Sequence, residues 1–254
     1  MAKKKKKYRF QHDMYIYAGS IEHELRRTGN PPEKGKNREE KKKPTAEQMQ
    51  KVNAYNREKK VRRLIKENFQ EGDYFCTLTY QKGFIGDIHR AKQDRQKFMN
   101  ILRKEFRKAG YELKWIGRSE VGKRGSMHHH IIINRIPGGD LIISKAWAKI
   151  FISGRVDFVP LYARGGYKEL AAYLVKPDKE DKDGNQTSWS SYSRSRNLKE
   201  TEPEVTRTTR RKILEYPEPT PGYYIDTDSV YQGINEVTGR EYLHYIEIKL
   251  EGGG

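Results

Sequence analysis

Two histidines separated by one residue, His128 and His130, are the clearest candidates for chemistry in this sequence. They open a segment that continues into Ile131–Ile133, and such a β-branched run is typical of a strand. Alternate strand residues face the same side of a sheet, so His128 and His130 project together while His129 points away. Two imidazoles on one rigid strand make half of a divalent-metal site. Another side chain, phosphate oxygens and water are left to complete the coordination.

Glu120 is the candidate for a third protein ligand. If the strand before the loop at residues 122–125 pairs symmetrically with the histidine strand, Glu120 lies opposite His128. Arg118 then lies opposite His130, and all four side chains share one face of the hairpin. A slip of one residue would turn Glu120 to the other face, so this ligand depends on the register.

Other interpretations of this region stay open or fail on the sequence itself. Structural histidines that bind no metal stay open, whereas a cloning tag at residues 125–130 is disfavoured by its internal position before a strand. A structural zinc site needs four ligands, typically with cysteine, and the one cysteine, Cys76, is distant in sequence. Gly117–Lys123 matches the beginning of a phosphate-binding P-loop, but Arg124 and a strand follow where Ser or Thr and a helix are needed. No ATPase or helicase activity is therefore expected.

A second candidate group lies in the segment Tyr167–Pro177, which predicts a short helix. At about 100° per residue, Tyr167 falls near the middle of the apolar face and Tyr173 on its flank, with Lys176 about 60° from Tyr173. That apolar face consists of Leu170, Ala171, Leu174 and Val175. A phenol has a pKa of about 10 and becomes a nucleophile when a metal or a cation favours its ionised form. Attack on phosphorus would conserve the bond energy in a phosphotyrosine, and an ordinary amphipathic helix is the alternative.

The elements that must hold these groups lie between residues 73 and 179. Strand-like and helix-like segments follow one another there in the order β-α-β-β-α-β-α, which predicts an α+β core with an antiparallel sheet and helices packed on one side. Residues 1–44 are predicted to be a basic, partly disordered arm, and residues 45–72 a helical lead-in that begins at a capping box. Residues 180–254 are predicted to be a C-terminal extension that is partly β and contacts DNA.

Composition narrows the class of partner. The 254 residues contain 52 Lys and Arg against 34 Asp and Glu, a formal net charge of +18, which indicates a polyanionic partner, most commonly nucleic acid. The sequence contains no long apolar run and no signal-peptide pattern, which disfavours a membrane protein. One cysteine excludes an internal disulfide and fits a reducing compartment, so a cytoplasmic location is expected.

Together, the histidine strand and the tyrosine helix resemble the HUH endonucleases, in the order found in rolling-circle replication initiators (Rep proteins) of bacterial plasmids and phages. Phe75–Tyr80 is similar to the first, Thr-containing motif of that family. His128–His130 is similar to its His-hydrophobic-His motif, with a polar residue at the centre. Tyr173–Lys176 matches the Tyr-x-x-Lys motif of single-tyrosine members. Glu169 and Pro177 stand where paired-tyrosine relatives would have a second tyrosine, and the order of the motifs argues against conjugative relaxases.

The resemblance implies a ferredoxin-like or RRM-like core and a divalent ion, Mg²⁺ or Mn²⁺, held by His128 and His130 with Glu120 as a further ligand. It also implies that Tyr173 attacks single-stranded DNA, forms a 5′-phosphotyrosine and frees a 3′-OH for a polymerase. Lys176 would steady the phosphate or the phenolate. The target would be an origin in a stem-loop, and the protein partners would be a host helicase and polymerase.

Basic and aromatic side chains near the site and beyond the core suit single-stranded DNA, because cations bind phosphates and rings stack on bases. The candidates are Arg118, Lys123, Arg124, Trp189, Tyr192, Arg194 and Arg196. A merely solvated segment is the alternative for each of them. The chain is therefore predicted to be a rolling-circle replication initiator. The alternatives are a non-catalytic nucleic-acid-binding module, an HUH-class transposase, and a metal-dependent hydrolase that uses water in place of tyrosine.

Overall fold

A computed structural model describes residues 9–28, 44–81, 88–121, 126–162, 164–176, 192–209, 216–235 and 240–250. The chain divides into two compact units: the core unit is Asn53–Glu200, and the accessory unit is Met1–Val52 together with Thr201–Gly254. The candidate histidines, Glu120 and Tyr173 all belong to the core unit. Among the helices that the structure describes, none is long and apolar enough to cross a membrane.

The helices and strands are listed here in chain order. They are β1 (Phe10–Ile16), β2 (Ser20–Arg27), α1 (Ala46–Asn68), β3 (Tyr74–Thr79), α2 (Ile88–Lys108), β4 (Trp115–Val121), β5 (Met127–Ile133), α3 (Gly139–Ile150), β6 (Arg155–Pro160), a 3₁₀ turn (Arg164–Tyr167), α4 (Lys168–Leu174), β7 (Ser193–Arg194), β8 (Glu204–Thr208), β9 (Tyr223–Asn235) and β10 (Arg240–Lys249).

The sheet of the core unit has the strand order β6-β3-β5-β4-β7, and every neighbouring pair is antiparallel. The segment from β3 to β6 follows the order β-α-β-β-α-β, which is the ferredoxin-like motif. The predicted α+β class with an antiparallel sheet is therefore confirmed.

One face of this sheet packs against α2 and α3. The cluster joins Cys76, Leu78 and Ile131 of the strands with Phe98 of α2 and Trp147 of α3, and all five side chains are fully buried. Burial of this kind stabilises the fold by roughly 25 cal/mol per Å² of apolar surface removed from water. α2 and α3 therefore cover one face of the sheet, and α1 and α4 pack on the other.

The second face also carries helices, which differs from the predicted arrangement with helices on one side only. Ile116 and Ile132 of the sheet pack there with Ile65 of α1 and Ala171 of α4. The cause lies in β5, whose run Ile131–Ile133 is apolar at every position instead of at every second one. A strand of that composition is buried on both faces.

The accessory unit contains a second antiparallel sheet, with the order β8-β1-β2-β10-β9. Two of its strands lie within the region 1–44 predicted as an arm, and three lie within the predicted extension 180–254. The strand expected near the C-terminus is present as β10. The other strands escaped prediction because polar residues such as Glu22 and His23 occupy buried positions of β2, which removes the usual alternation.

Two helix starts show where local signals succeed and fail. α1 begins at the predicted capping box, since Gln48 N–H donates to Thr45 Oγ1 at 3.2 Å and Thr45 N–H donates to Gln48 Oε1 at 2.9 Å. α3 begins at Gly139 without a capping side chain, because its N-cap residue is Gly138. Gly138, with a φ of 66°, adopts the left-handed conformation that lets the chain turn directly into the helix.

Candidate active site

The register of β5 with its two neighbours builds the site. On β4, Arg118 pairs with His130 and Glu120 pairs with His128, so the predicted hairpin register is confirmed. On β3, Thr77 pairs with His130. Directly paired residues of antiparallel strands face the same side of a sheet. These side chains therefore share the face that α1 and α4 cover.

His130 is held in a defined orientation by its neighbours. Its Nδ1 hydrogen-bonds with Thr77 Oγ1 at 3.2 Å, and its Nε2 lies 3.3 Å from Glu120 Oε1. The ring stacks over Phe75, with centroids 6.1 Å apart, and meets the ring of Tyr173 edge-on at 5.0 Å. Thr77 thus directs Nε2 toward the carboxylate, as outer partners do for metal-binding histidines. Only the weak similarity of Phe75–Tyr80 to a family motif pointed to Thr77 in the sequence.

His128 lies next to His130 on the same face, with ring centroids 6.1 Å apart. Burial, together with the charge of His130, lowers the pKa of His128 and favours the neutral imidazole that binds metals. Its Nε2 hydrogen-bonds with Ser126 Oγ at 3.0 Å. The His128 ring must therefore rotate away from Ser126 before its Nε2 can bind the same metal ion as Glu120.

The carboxylate of Glu120 adds a hard oxygen ligand to the two imidazoles, so the set suits Mg²⁺ or Mn²⁺ better than imidazoles alone would. In the part of the chain that the structure describes, no three His, Cys, Asp or Glu side chains converge closely enough to form a ready-made metal cage. His130 and Glu120 are the closest pair, at 3.3 Å. Ligands of one ion on adjacent octahedral corners, with bonds of about 2.1 Å, are roughly 3 Å apart. These two residues therefore fit such an ion, and His128 would join them by rotation.

Glu120 contacts three of the other site residues. Its Oε1 accepts a hydrogen bond from the Tyr173 hydroxyl at 3.0 Å and faces His130, while its Oε2 lies 3.9 Å from Arg118 Nε. The hydrogen bond with His130 lowers the pKa of Glu120 to about 2, helped by Tyr173 and by the charge of Arg118 and opposed by burial. Glu120 is therefore an anion at neutral pH.

Tyr173 is the tyrosine that α4 presents to the histidines. Tyr167 is buried in the apolar cluster instead, so the predicted orientation of both side chains is confirmed. Burial raises the pKa of Tyr173 above its ordinary value, and the negative charge of Glu120 raises it further. Lys176 lies beyond the end of α4, with Nζ 6.0 Å from the centroid of the Tyr173 ring. The phenol is therefore protonated in this arrangement, with a cation close by.

Arg118 corrects one prediction, because it does not lie on the surface where it could contact nucleic acid. Its side chain is only 2% exposed. Its Nη1 donates a hydrogen bond to the carbonyl of Lys176, and its Nε approaches Glu120. Arg118 therefore ties β4 to the end of the tyrosine helix. The sequence placed Arg118 on the correct face, but its burial depends on α4, which lies far along the chain.

His129 points to the opposite face and is fully buried there. Tyr80 donates its hydroxyl proton to Asp94 at 3.1 Å, so its oxygen accepts from His129 Nε2 at 3.0 Å. His129 Nδ1 then accepts from Ser119 Oγ at 2.7 Å, and Arg95 donates to the same serine at 3.1 Å. Burial lowers the pKa of His129 to about 3, so it is neutral. The polar residue in the middle of the histidine motif is thus fully hydrogen-bonded.

The remaining predicted nucleic-acid contacts lie apart from this site or outside the described residues. Lys123, Arg124 and Trp189 are outside them. Tyr192 is half-buried and packs against the apolar cluster that contains Ile116 and Ile132. Arg194 pairs with Glu200 at 2.8 Å, and Arg196 is exposed. Among Tyr192, Arg194 and Arg196, which the structure describes, Arg196 is the exposed side chain.

Two surface clefts lie around Gln70 and Arg135, at the opposite end of β3 and β5 from the histidines. They contain none of the predicted site residues. A single strand of nucleic acid binds along an open, charged groove, so that substrate requires no deep pocket at the histidines.

Residues 73–178 match a family model whose description begins "Replication-associated protein ORF2". This segment is similar to a family of rolling-circle replication initiators. It spans the histidine strand, Glu120 and Tyr173, and the resemblance found in the motifs is confirmed at the level of the family. Comparison with curated proteins and with solved structures gives no match. Similarity to a replication initiator family supports a role in DNA replication and binding to DNA, in keeping with the net charge of +18.

Proposed function

We propose that this protein is a metal-dependent enzyme that nicks and rejoins single-stranded DNA through Tyr173. The observation that carries the proposal is that a tyrosine and a histidine approach the same oxygen of one carboxylate. Glu120 Oε1 lies 3.0 Å from the Tyr173 hydroxyl and 3.3 Å from His130 Nε2. A binding module needs neither a tyrosine nor a histidine at a partly buried carboxylate.

His130, Glu120 and, after rotation, His128 would hold Mg²⁺ or Mn²⁺. When bound, that ion supplies Lewis acidity at the scissile phosphate. The protein itself holds the metal ligands in position. Thr77 orients His130 through a hydrogen bond, and the guanidinium of Arg118 lies 3.9 Å from the carboxylate of Glu120. Site residues held in this way keep the reacting groups in place.

The covalent step is a transfer of the phosphoryl group from DNA to the tyrosine. The Tyr173 oxygen forms a bond to phosphorus, and the bond from phosphorus to the 3′ oxygen of the preceding nucleotide breaks. The tyrosine loses its proton and the released 3′ oxygen gains one, so the step is balanced. Lys176, whose Nζ lies 6.0 Å from the centroid of the Tyr173 ring, would steady the phosphate or the phenolate. Rejoining reverses the same step.

The substrate in this proposal is a single-stranded origin in a stem-loop, with a host helicase and polymerase acting before and after the nick. The excess of basic residues supports a nucleic-acid partner. The cytoplasm is the proposed location, since one cysteine excludes an internal disulfide.

The test is the covalent intermediate. Labelled single-stranded oligonucleotides covering the DNA next to the gene are incubated with the protein and Mn²⁺, and SDS-resistant adducts are counted. Tyr173→Phe should abolish the adduct, whereas Tyr167→Phe, which removes a hydroxyl outside the site, should retain it. An adduct that survives in Tyr173→Phe would refute the assignment. Cleavage without any adduct would indicate water as the nucleophile.

A further inference from the structure

The outer side of α2 carries an excess of positive charge. The acidic residues of this helix are Asp94, which is buried, and Glu105, which is partly buried. The exposed side is lined by basic residues: Arg90, Lys92, Lys97, Arg103, Lys104, Arg107 and Lys108. None of the replication chemistry proposed above uses this surface.

The position of these cations follows from the helix period. Phe98, Leu102 and Phe106, four residues apart, bury one side of α2 against the sheet. Lys97 and Lys104, seven residues apart, lie on the opposite side. At about 1.5 Å of rise per residue they are roughly 10 Å apart along the helix. The histidines, Glu120 and Tyr173 occupy the other face of the sheet, so this surface is separate from the candidate active site.

Much of this charge is not compensated within the protein. The side chains of Lys97 and Arg107 form no hydrogen bond or ion pair with any residue that the structure describes. Lys108 pairs with Glu105 at 3.1 Å. On α1, Lys51 pairs with Glu47 at 2.8 Å and Lys60 pairs with Glu200 at 3.5 Å. Arg103 and Arg107 stand four residues apart on α2, and like charges at that spacing repel each other. A polyanion would relieve the repulsion.

We infer that this surface, the α2 basic face (Lys97, Arg103, Lys104, Arg107 and Lys108), binds the phosphate backbone of duplex DNA. Single-stranded DNA is bound by aromatic stacking as well as by cations, and no large exposed hydrophobic side chain of the described residues lies on α2. The same lack of apolar side chains disfavours a membrane surface, which interfacial helices enter with aromatic and aliphatic groups. Duplex DNA needs phosphate contacts alone.

The experiment measures binding of a random-sequence duplex of about 20 base pairs over a range of KCl concentrations by fluorescence anisotropy. Each phosphate contact contributes about 0.9 to the slope of log K against log salt concentration. The triple variant Lys97→Gln, Lys104→Gln and Arg107→Gln should lower that slope by roughly 2 to 3. The single variant Lys97→Gln should lower it by about 1 and serves if the triple variant folds poorly.

The matched control is the triple variant Lys51→Gln, Lys60→Gln and Arg155→Gln, which removes the same charge from residues that already have acidic partners. Its slope should stay close to that of the unchanged protein. Equal losses in both triple variants would mean that only net charge matters and would overturn the inference, as would an unchanged slope in the α2 variant. Loss of binding to anionic vesicles with duplex binding retained would also overturn it.

The inference rests on the family's role in DNA replication and not on the tyrosine mechanism. Adduct formation on a short single strand separates the two. The α2 variant should form the adduct normally, because its substitutions are on the far side of the sheet from Tyr173. A failed adduct in the unchanged protein would count against the proposed function and leave the salt dependence of duplex binding interpretable.

Discussion

The three consecutive histidines of β5 lie on two different faces of one sheet, which allows the two faces to be compared. His128 and His130 face α1 and α4, where a partly exposed carboxylate and a tyrosine lie beside them. His129 faces α2 and α3, is fully buried, and has both ring nitrogens hydrogen-bonded inside the protein. The same type of side chain is part of a buried hydrogen-bond network on one face and, in the proposed function, binds a metal ion on the other. What differs is the partner, because His129 is bonded to the neutral hydroxyls of Tyr80 and Ser119, whereas His130 Nε2 faces the ionised carboxylate of Glu120.

The largest expected effect separates activity from stability. His130→Ala should reduce cleavage by at least about 100-fold, since even outer partners of a metal ligand are worth about 10 to 100-fold. DNA binding through phosphates should largely remain. His129→Leu should keep cleavage per folded molecule but lose about 2 to 4 kcal/mol of stability, because Ser119 and Tyr80 lose a buried hydrogen-bond partner.

Nicking assays, with and without chelator, and urea unfolding check this first prediction. Removal of the metal from the unchanged protein by a chelator should reduce cleavage as strongly as His130→Ala does. If His129→Leu abolished cleavage in a well-folded protein, the division between the two faces would be wrong.

A smaller effect is expected from two neighbouring residues of β4 that face opposite sides. Glu120→Gln keeps the size of the side chain but removes its charge, so the Mn²⁺ concentration for half-maximal nicking should rise about 10 to 100-fold. Ser119→Ala, whose partner is His129, should leave that concentration unchanged and lower stability instead. An unchanged metal requirement in Glu120→Gln would place this carboxylate outside the coordination sphere.

The smallest effect is a loss of stability in mild acid. Burial lowers the pKa of His129 from 6.5 to about 3. Between these two pH values His129 is protonated in the unfolded chain and neutral in the folded protein. Stability is then complete above pH 6.5 and falls as the pH drops toward 3. At pH 5 the loss is about 2 kcal/mol relative to pH 7.

Tryptophan fluorescence can follow this loss in the core unit, because Trp115 and Trp147 are buried within it. His129→Leu should flatten the dependence between pH 7 and pH 5. Burial also lowers the pKa of His23 to about 4, but His23 belongs to the accessory unit. The acid sensitivity that His23 contributes should therefore remain in His129→Leu. A core transition as sensitive to acid in His129→Leu as in the unchanged protein would assign the effect to another group.

Much of the candidate site was predictable, because it depends on short-range periodicity. The period of two along β5 placed His128 and His130 together, and the pairing with β4 added Glu120. The helical period chose Tyr173 over Tyr167. The first helix of the predicted β-α-β-β-α-β-α order is present as α2 for the same reason, since apolar residues recur along it at helical spacing.

Other features depended on contacts that no local pattern encodes. The hydrogen bond between Tyr173 and Glu120 joins residues 53 positions apart, and the burial of Arg118 depends on α4. The network around His129 uses Asp94, whose acidic side chain on a basic helix resembles an ordinary surface residue in the sequence. The accessory sheet combines strands from both ends of the chain, with charged residues at buried positions.

The sequence by itself determined which side chains share a strand face or a helix face, because that depends only on the backbone period. It also determined the charge that calls for a polyanion. Only the tertiary structure decided that Tyr173 and His130 meet at one oxygen of Glu120, that Arg118 is buried, and that His129 is satisfied on the far side. Those outcomes depend on which distant polar groups become neighbours when apolar surfaces pack, and a buried polar group is stable only where such a partner is present.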